Sequence, residues 1–391
     1  MNNKSKKIIS ILLICFFVSN IFVLSAKADE KGLDVEAKSG LLMEPNTGKI
    51  IFEKNIHEKF APASVTKIMT MLLAMEGVDS GKIKLSDKIV ISENAKKMGG
   101  NGSSSMLLDT GEVRTLEEIL KGVAIASGND AAVALAEYIS GSETAFVKKM
   151  NERAKELGMK DTTFKNCHGL SAEGHLTSAY DISLMSRELL KHEKILKYTG
   201  TYMETISEGR KQPIGLVNHN KLVRFYRGCD GLKTGYTSEA KYCISATAVR
   251  DNIRVLAVIV GAPTYKIRNR DASMLMNYGF SKFESKKVLT KDGDVEKIPL
   301  NKKGDKFIMA KSNKDFNVIL QRGTENKITK KCVLKQGIKE YKKNQEVGHC
   351  EIYVNDKLYA KVPIYSDRDI RLNSVIDNIK YHLMDLFDKA V

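Results

Sequence analysis

The chain has 391 residues, 42% of them hydrophobic and 28% charged, enough for one large domain plus a smaller one and too apolar for a disordered polymer. Its formal net charge is +16, but no arginine-rich or aromatic-interleaved run accompanies it, so nucleic-acid binding is not expected and attraction to anionic surfaces is the plainer reading. The cysteines are widely spaced with no Cys-x-x-Cys, which argues against a disulfide framework and a structural zinc site and leaves one bridge open.

Residues 1–28 read as a secretory leader: a basic start, the apolar run "IISILLICFFVSNIFVLSA", and Ala26-Lys27-Ala28 as the cleavage pattern. The rival reading is an uncleaved membrane anchor, because the run is nearly long enough to span a bilayer. Cleavage removes four lysines and no acid, which lowers the charge to +12, and leaves Cys167, Cys229, Cys243, Cys332 and Cys350. Cys15 lacks the flanking residues of a lipoprotein signal.

"SGLLMEPNTGKIIFEKN" predicts a hairpin turning at Pro45-Asn46-Thr47-Gly48. "VTKIMTMLLAME" predicts a buried helix ending near Gly77, and "TLEEILKGVAIA" a second, broken by "SGND" and resumed as "AAVALAEYIS". A third ends at Gly158. A fourth starts at Ser178, with Asp181 completing a capping box. "GLKTGYT", "KYCISATAVR" and "NIRVLAVIVGA" predict an antiparallel meander, and "KIRNRDASMLMNYGF" a closing helix. From about residue 285 short alternating runs replace helical periodicity, with a hairpin around Asn355-Asp356. The end returns to helix: Leu372, Val375, Ile376, Ile379, Leu383, Leu386 and Phe387 share one face. The expected fold is α+β: an antiparallel sheet flanked by helices with an α-helical subdomain (29–285), a small β-rich domain (286–368), and an amphipathic helix (369–391).

Three short motifs carry the chemistry. Ser64 and Lys67 form Ser-x-x-Lys, which puts both side chains on one face at a helix start. Ser64 becomes a nucleophile only if a base takes its proton, and Lys67 serves only if burial or a nearby cation lowers its pKa. The plain alternative is a capping serine and a surface lysine. Ser127 and Asn129 project from the break between two helices. Lys233, Thr234 and Gly235 lie on a strand, with a cation and a hydroxyl suited to a carboxylate and a glycine where a substrate backbone lies along the edge. Each motif alone is weak; in this order and these contexts they are jointly specific.

With these motifs, and with "PASVTKIMT", "IASGNDAAVALAE", "HGLSAEGHLTSAYDISLMSREL" and "NHNKLVRFYRGCDGLKTGYTSEAKYC", the chain resembles the low-molecular-mass penicillin-binding proteins, serine-type D-alanyl-D-alanine carboxypeptidases of the serine β-lactamase/DD-peptidase-like fold. The resemblance implies removal of the terminal D-alanine from peptidoglycan stem peptides through an acyl-enzyme, with β-lactams as covalent inhibitors and no cofactor or metal. It implies Ser64 as nucleophile, Lys67 as base and Ser127 as proton relay. Asn129 would bond the acyl-side amide, and Lys233 and Thr234 the terminal carboxylate. The backbone of Ser64 and Tyr236 would form the oxyanion hole. Arg268 falls where some members carry a carboxylate-binding arginine, although Arg270 is two residues away. The last helix resembles the family's membrane-surface anchor; the alternative is a helix packed on the small β domain. The expected location is the outer face of the cytoplasmic membrane or the cell wall, and the lysine-, isoleucine- and asparagine-rich composition suggests a Gram-positive source.

Other functions compete with this reading. A β-lactamase of this layout needs a water-activating glutamate, often in Glu-x-x-Leu-Asn, and no such motif lies between Asn129 and Lys233. A scaffold that lost activity is disfavoured by the complete motif set. An endopeptidase or transpeptidase differs in pocket shape, which the motifs do not encode. His168, His175 and Asp181 suggest a zinc peptidase, but their spacing is wrong for it and no third distant ligand motif is present. His57, His192, His219, His349 and His382 read as isolated.

Overall fold

The computed structural model describes residues 33–100, 102–206, 212–299, 307–335 and 340–371. Every element below belongs to the compact unit Glu36–Val391.

The main sheet has five strands: β1 (Ser39–Glu44), β2 (Lys49–Lys54), β3 (Cys229–Thr237), β4 (Lys241–Arg250) and β5 (Ile253–Ala262). Their order is β2-β1-β5-β4-β3, and all neighbours are antiparallel. β1 and β2 form the expected hairpin. The Glu44 carboxylate accepts from the backbone N–H of Asn46 and Thr47, and Gly48 supplies the positive φ of 78° that closes the turn. β3 to β5 form the expected meander, which leaves β3 on an edge.

The longer helices are α1 (Lys67–Asp79), α2 (Leu116–Ala124), α3 (Asn129–Ser140), α4 (Glu143–Glu156), α5 (Ala179–Leu189) and α6 (Tyr265–Lys282). α1 is buried on nearly every side of its first two turns, as expected of a helix apolar all round, and it runs past Gly77 to Asp79. α2 starts with a reciprocal capping box between Thr115 and Glu118 that the sequence reading did not name. The box expected at α5 is only half formed. Ser178 accepts from the N–H of Asp181, but the Asp181 carboxylate accepts from the Asp161 N–H and the Thr162 hydroxyl instead.

Both faces of the sheet are covered, which is why β5 reads as a continuous apolar run. Leu41, Met43, Leu256, Val258 and Val260 join one large core with α1 to α5. On the other face Gly279 of α6 comes so close that an added Cβ would lie 2.9 Å from Val255 and 3.4 Å from Leu42.

Beyond α6 the regular elements among the described residues are all strands. Asp294–Pro299, Phe307–Lys311, Lys357–Ser366, Glu346–Val354 and Ile328–Leu334 form a second sheet in that order, and Phe283–Leu289 pairs with Phe316–Gln321. Its core includes Ile308, Val318, Val347, Ile352 and Ile364. The hairpin expected at Asn355-Asp356 is present, both residues having positive φ as a two-residue turn demands. Ile370–Arg371, placed by the sequence reading at the start of the last helix, form a short strand paired with Glu340–Tyr341. The rest of that helix, from residue 372, and the leader lie outside the described residues. Among the described residues no helix is long and apolar enough to cross a membrane.

Candidate active site

Ser64 lies in a single 3-10 turn, Ala63–Thr66, that runs directly into α1, so Lys67 is the first α-helical residue. The capping alternative fails here: neither the turn nor α1 has a side-chain cap, and Lys67 is fully buried. Ala63 holds φ at 48°, a conformation costing a non-glycine residue on the order of 1–3 kcal/mol. A chain of hydrogen bonds holds it there. The Lys165 N–H donates to His175 Nδ1 (2.8 Å), which leaves the proton on Nε2 facing Thr66 Oγ1 (2.9 Å). The Thr66 hydroxyl donates to the Ala63 carbonyl (2.8 Å). Burial and nearby Lys165 push the pKa of His175 down to about 4, so the imidazole is neutral, as this chain requires. Gly169 completes the seat: a Cβ there would lie 1.9 Å from the Ala63 carbonyl oxygen.

The Lys67 amine has three polar neighbours: Asn129 Oδ1 at 2.6 Å, the His168 carbonyl at 2.6 Å and Ser64 Oγ at 3.1 Å. The first two can only accept. A neutral amine has two N–H groups, so both are consumed and the lone pair is left facing the serine hydroxyl. Burial pushes the Lys67 pKa down to about 7, against opposing pulls from Cys167 and Asp130, so a large neutral fraction exists near neutrality. The His168 carbonyl is itself fixed. Asn166 Oδ1 accepts from the Gly169 and His168 N–H groups, and the Thr70 hydroxyl donates to the Cys167 carbonyl.

Asn129 and Ser127 flank the start of α3. Asn129 Oδ1 accepts from Lys67 while its Nδ2 donates to Ser103 Oγ (2.6 Å). Ser127 has φ 59°, and its buried Oγ has no partner among the described residues. Asp130, fully buried, pins the facing loop by accepting from the N–H groups of Met106 and Leu108 and from the Ser105 hydroxyl.

The edge strand β3 packs against the nucleophile turn. A Cβ on Gly235 would lie 2.9 Å from Ala63 Cβ and 3.0 Å from Ser64 N, so this glycine makes room for the turn rather than only for a ligand. Lys233 and Thr234 are buried, and Lys233 Nζ donates to the Thr234 carbonyl (3.0 Å). Tyr236 is exposed with its ring against Tyr242. Burial, then Lys67 and Arg268, hold the Lys233 pKa well below its usual range. Arg268 is also buried, its pKa pushed down to about 10 by desolvation, and it donates to Asn269. Neither Lys233 nor Arg268 has a carboxylate partner among the described residues. Arg270 is half-exposed and paired with Asp271 and Glu36, which separates the two arginines that the sequence left open.

Ser64, Lys67, Asn129 and Gly235 therefore meet directly, and Lys233 and Arg268 share their field; Ser127 makes no direct bond to them. The sequence reading missed Ser103, which sits in the small polar run "GGNGSSSM", and the His168 carbonyl, which no side-chain pattern reveals. It also set His219 aside as isolated. That residue keeps an exposed face yet lies within electrostatic reach of Lys233, Lys221, Lys67 and Arg268, and partial desolvation together with these cations lowers its pKa.

The three residues of the zinc reading go separate ways. His175 braces Thr66, and Asp181 serves the 161–162 loop. The His168 Nδ1 accepts from the Leu170 N–H, with Nε2 3.4 Å from Glu143. Burial and Lys67 push the His168 pKa to about 3, so that contact is a neutral N–H facing a carboxylate and not an ion pair.

Residues 25–264 match the D-alanyl-D-alanine carboxypeptidase family, peptidase S11, and residues 283–371 the C-terminal domain of penicillin-binding protein 5. The chain is 44% identical to the D-alanyl-D-alanine carboxypeptidase DacF of Bacillus subtilis, over 97% of this chain and 98% of that protein. It is similar to the crystal structure of penicillin-binding protein 3, a peptidoglycan synthesis regulatory factor, from Streptococcus pneumoniae: TM-score 0.70, 27% identity, 86% of this chain and 99% of that one. It is also similar to penicillin-binding protein D2 of Listeria monocytogenes in its ampicillin-bound form: TM-score 0.57, 30% identity, 64% of this chain and 99% of that one.

Proposed function

The chain belongs to the D-alanyl-D-alanine carboxypeptidase family, and on that premise we propose how its residues divide the work of a penicillin-binding serine carboxypeptidase. The substrate is a peptidoglycan stem peptide ending in D-Ala-D-Ala. The Lys67 lone pair takes the Ser64 proton as Ser64 Oγ attacks the carbonyl between the two D-alanines. The N–H groups of Ser64 and Tyr236 stabilise the oxyanion. Ser127 passes a proton to the departing D-alanine nitrogen, and water then hydrolyses the ester. Lys233, Thr234 and Arg268 bind the terminal carboxylate, whose charge relieves the repulsion among the buried cations. Asn129 has one N–H beyond its bond to Ser103, available for the acyl-side carbonyl.

The observation that carries this reading is the amine of Lys67, with both N–H directions taken by acceptors and the third facing Ser64. Penicillins acylate the same serine, and the adduct hydrolyses slowly for want of a dedicated water-activating glutamate.

The enzyme works outside the cytoplasm, where its substrate is. We assign residues 1–28 to the leader, 29–285 to the catalytic domain, 286–368 to the β-rich domain and 369–391 to a membrane-surface anchor; the anchor reading rests on its apolar face and on Asp377, Asp385 and Asp388, which break any spanning stretch.

Mass spectrometry after brief penicillin exposure tests the core of the proposal: one adduct is expected, on Ser64. Soluble pentapeptide and cross-linked dimer, offered separately, are expected to show D-alanine release from the first. An adduct on Ser127, or cleavage of the dimer alone, would overturn the assignment.

A further inference from the structure

Two of the five described thiols face each other far from this chemistry. Cys332 lies on the strand Ile328–Leu334 and Cys350 on Glu346–Val354, directly opposite each other in an antiparallel register that runs unbroken from Ile328↔Val354 to Leu334↔Gly348. Directly opposed residues have Cα atoms about 4.5 or 5.5 Å apart depending on the pair type, and both values lie within the span a disulfide bridges. Opposed side chains share one face of the sheet. Cys350 is fully buried in the small core beside Ile352, while Cys332 is half-buried at its rim. Their strand pair is not internal: among the described residues Ile328–Leu334 is the edge of the second sheet, with one neighbouring strand.

We propose that Cys332 and Cys350 are a covalent modification site, a thiol pair that closes to a cross-strand disulfide by exchange with a disulfide met outside the cell. The inference is independent of the catalytic assignments. Cys332, the reachable thiol, attacks one sulfur of the external disulfide; that S–S bond breaks and one thiolate leaves. Cys350 then attacks the Cys332 sulfur of the mixed disulfide and expels the second thiolate. Two electrons pass to the external disulfide, and the two protons of the protein thiols end on the departing groups. The side-chain contact with Cys350, then burial and the nearby Glu296, hold the Cys332 thiol above its usual range and so protonated; the exchange is slow at neutral pH and faster in mild alkali. The other three cysteines, Cys167, Cys229 and Cys243, are buried in the first domain and stay reduced. The bridge closes a short loop and pins an edge strand that is otherwise open to stray pairing.

The test uses the full mature chain, reduced and then incubated with oxidised glutathione in mild alkali. Peptide mapping without reduction is expected to give one cross-link, joining the Cys332 and Cys350 peptides, with a loss of two hydrogens in the intact mass. The melting temperature of the β-rich domain is expected to rise by about 5–10 °C. Cys332→Ser abolishes the cross-link; because Cys350→Ser disturbs a buried position, the mapping of the unaltered chain carries the decision. A stable glutathione adduct on Cys332, separate alkylation of both thiols, or a melting temperature that does not rise would overturn the proposal.

Discussion

The two sides of the candidate active site are built on opposite principles. Around Ser64 the base and the turn are tied down: the amine of Lys67 has three neighbours, Thr66 and His175 brace the turn, and the Asn129 amide is held through both its oxygen and its nitrogen. Along β3 and the first turn of α6 the reverse holds: Lys233 and Arg268 are buried with depressed pKa values, and neither has a carboxylate partner among the described residues. The saturated side fixes geometry in advance, as proton transfer demands. The unsatisfied side stores electrostatic free energy that an anion releases on binding. A buried cation without a counter-charge is costly, so its presence points to an anionic ligand more strongly than any cavity does. A cavity of about 570 Å³ lined by Pro45, Arg187 and Arg254 contains none of these groups.

The comparison breaks hardest at the nucleophile. Ser64→Ala removes the group proposed to form the acyl bond and leaves Lys67 its two carbonyl acceptors. Penicillin labelling and D-alanine release should both fall to background, with the melting temperature within a few degrees of the parent. Labelling that survives in this variant would place the nucleophile elsewhere.

Next come the two lysines, one from each side. Lys67→Arg keeps a cation but supplies no neutral base, so acylation should drop about 10²–10⁴-fold, seen in kcat for pentapeptide and in the rate of penicillin labelling. Lys233→Arg keeps the charge that a carboxylate needs. Its loss should be about 10–100-fold, carried mainly by KM. Equal losses in kcat for the two variants would erase the division between a proton-transfer side and an anion side.

Much of this was legible in the sequence, and what was not has a physical reason. The motif residues Ser64, Lys67, Lys233 and Gly235 declare themselves because chemistry restricts residue type at fixed spacing. The hairpin at Gly48, the meander β3–β5 and the turn at Asn355-Asp356 declare themselves because φ preferences and alternation are local. The His168 carbonyl is invisible because any residue could supply it. Asp181 was misjudged because local spacing predicts a capping box, whereas a loop distant in sequence claims its carboxylate. Ser103 and His219 are ordinary polar residues until long-range folding brings them beside Asn129 and Lys233.

The pH dependence sharpens the contrast without a variant on the anion side. With the Lys67 pKa near 7, the neutral fraction falls tenfold per unit as pH drops below that value, and penicillin acylation should follow the same limb. The sign for stability is separate. A lysine whose folded pKa is lowered binds its proton less well in the native state, so the unfolded chain holds more protons between about 7 and the unperturbed value of about 10.4. Stability contributed by Lys67 therefore rises with pH through that window and is flat below it. Denaturant titrations across the window should lose part of this slope in Lys67→Ala, and an unchanged slope would mean that the buried amine keeps its ordinary pKa.

The mildest change concerns the tie that completes the saturated side. Ser103 touches neither the nucleophile nor the cations; it accepts from Asn129 Nδ2 at 2.6 Å, and Asn129 in turn accepts from Lys67. Ser103→Ala removes that acceptor but leaves Asn129 Oδ1 on Lys67, so the base should keep its pKa while the amide gains freedom to rotate. One neutral hydrogen bond at a partly buried site is worth about 0.5–1.5 kcal/mol, which sets the expected loss in kcat/KM at about 3–10-fold. A positioning role predicts that the acid limb of the pH profile stays near 7 while KM for pentapeptide rises, because the N–H proposed to meet the acyl-side carbonyl is no longer aimed. A shifted limb with unchanged KM would mean instead that Ser103 acts through the protonation of Lys67, and the saturated side would then extend one residue further than its hydrogen bonds suggest.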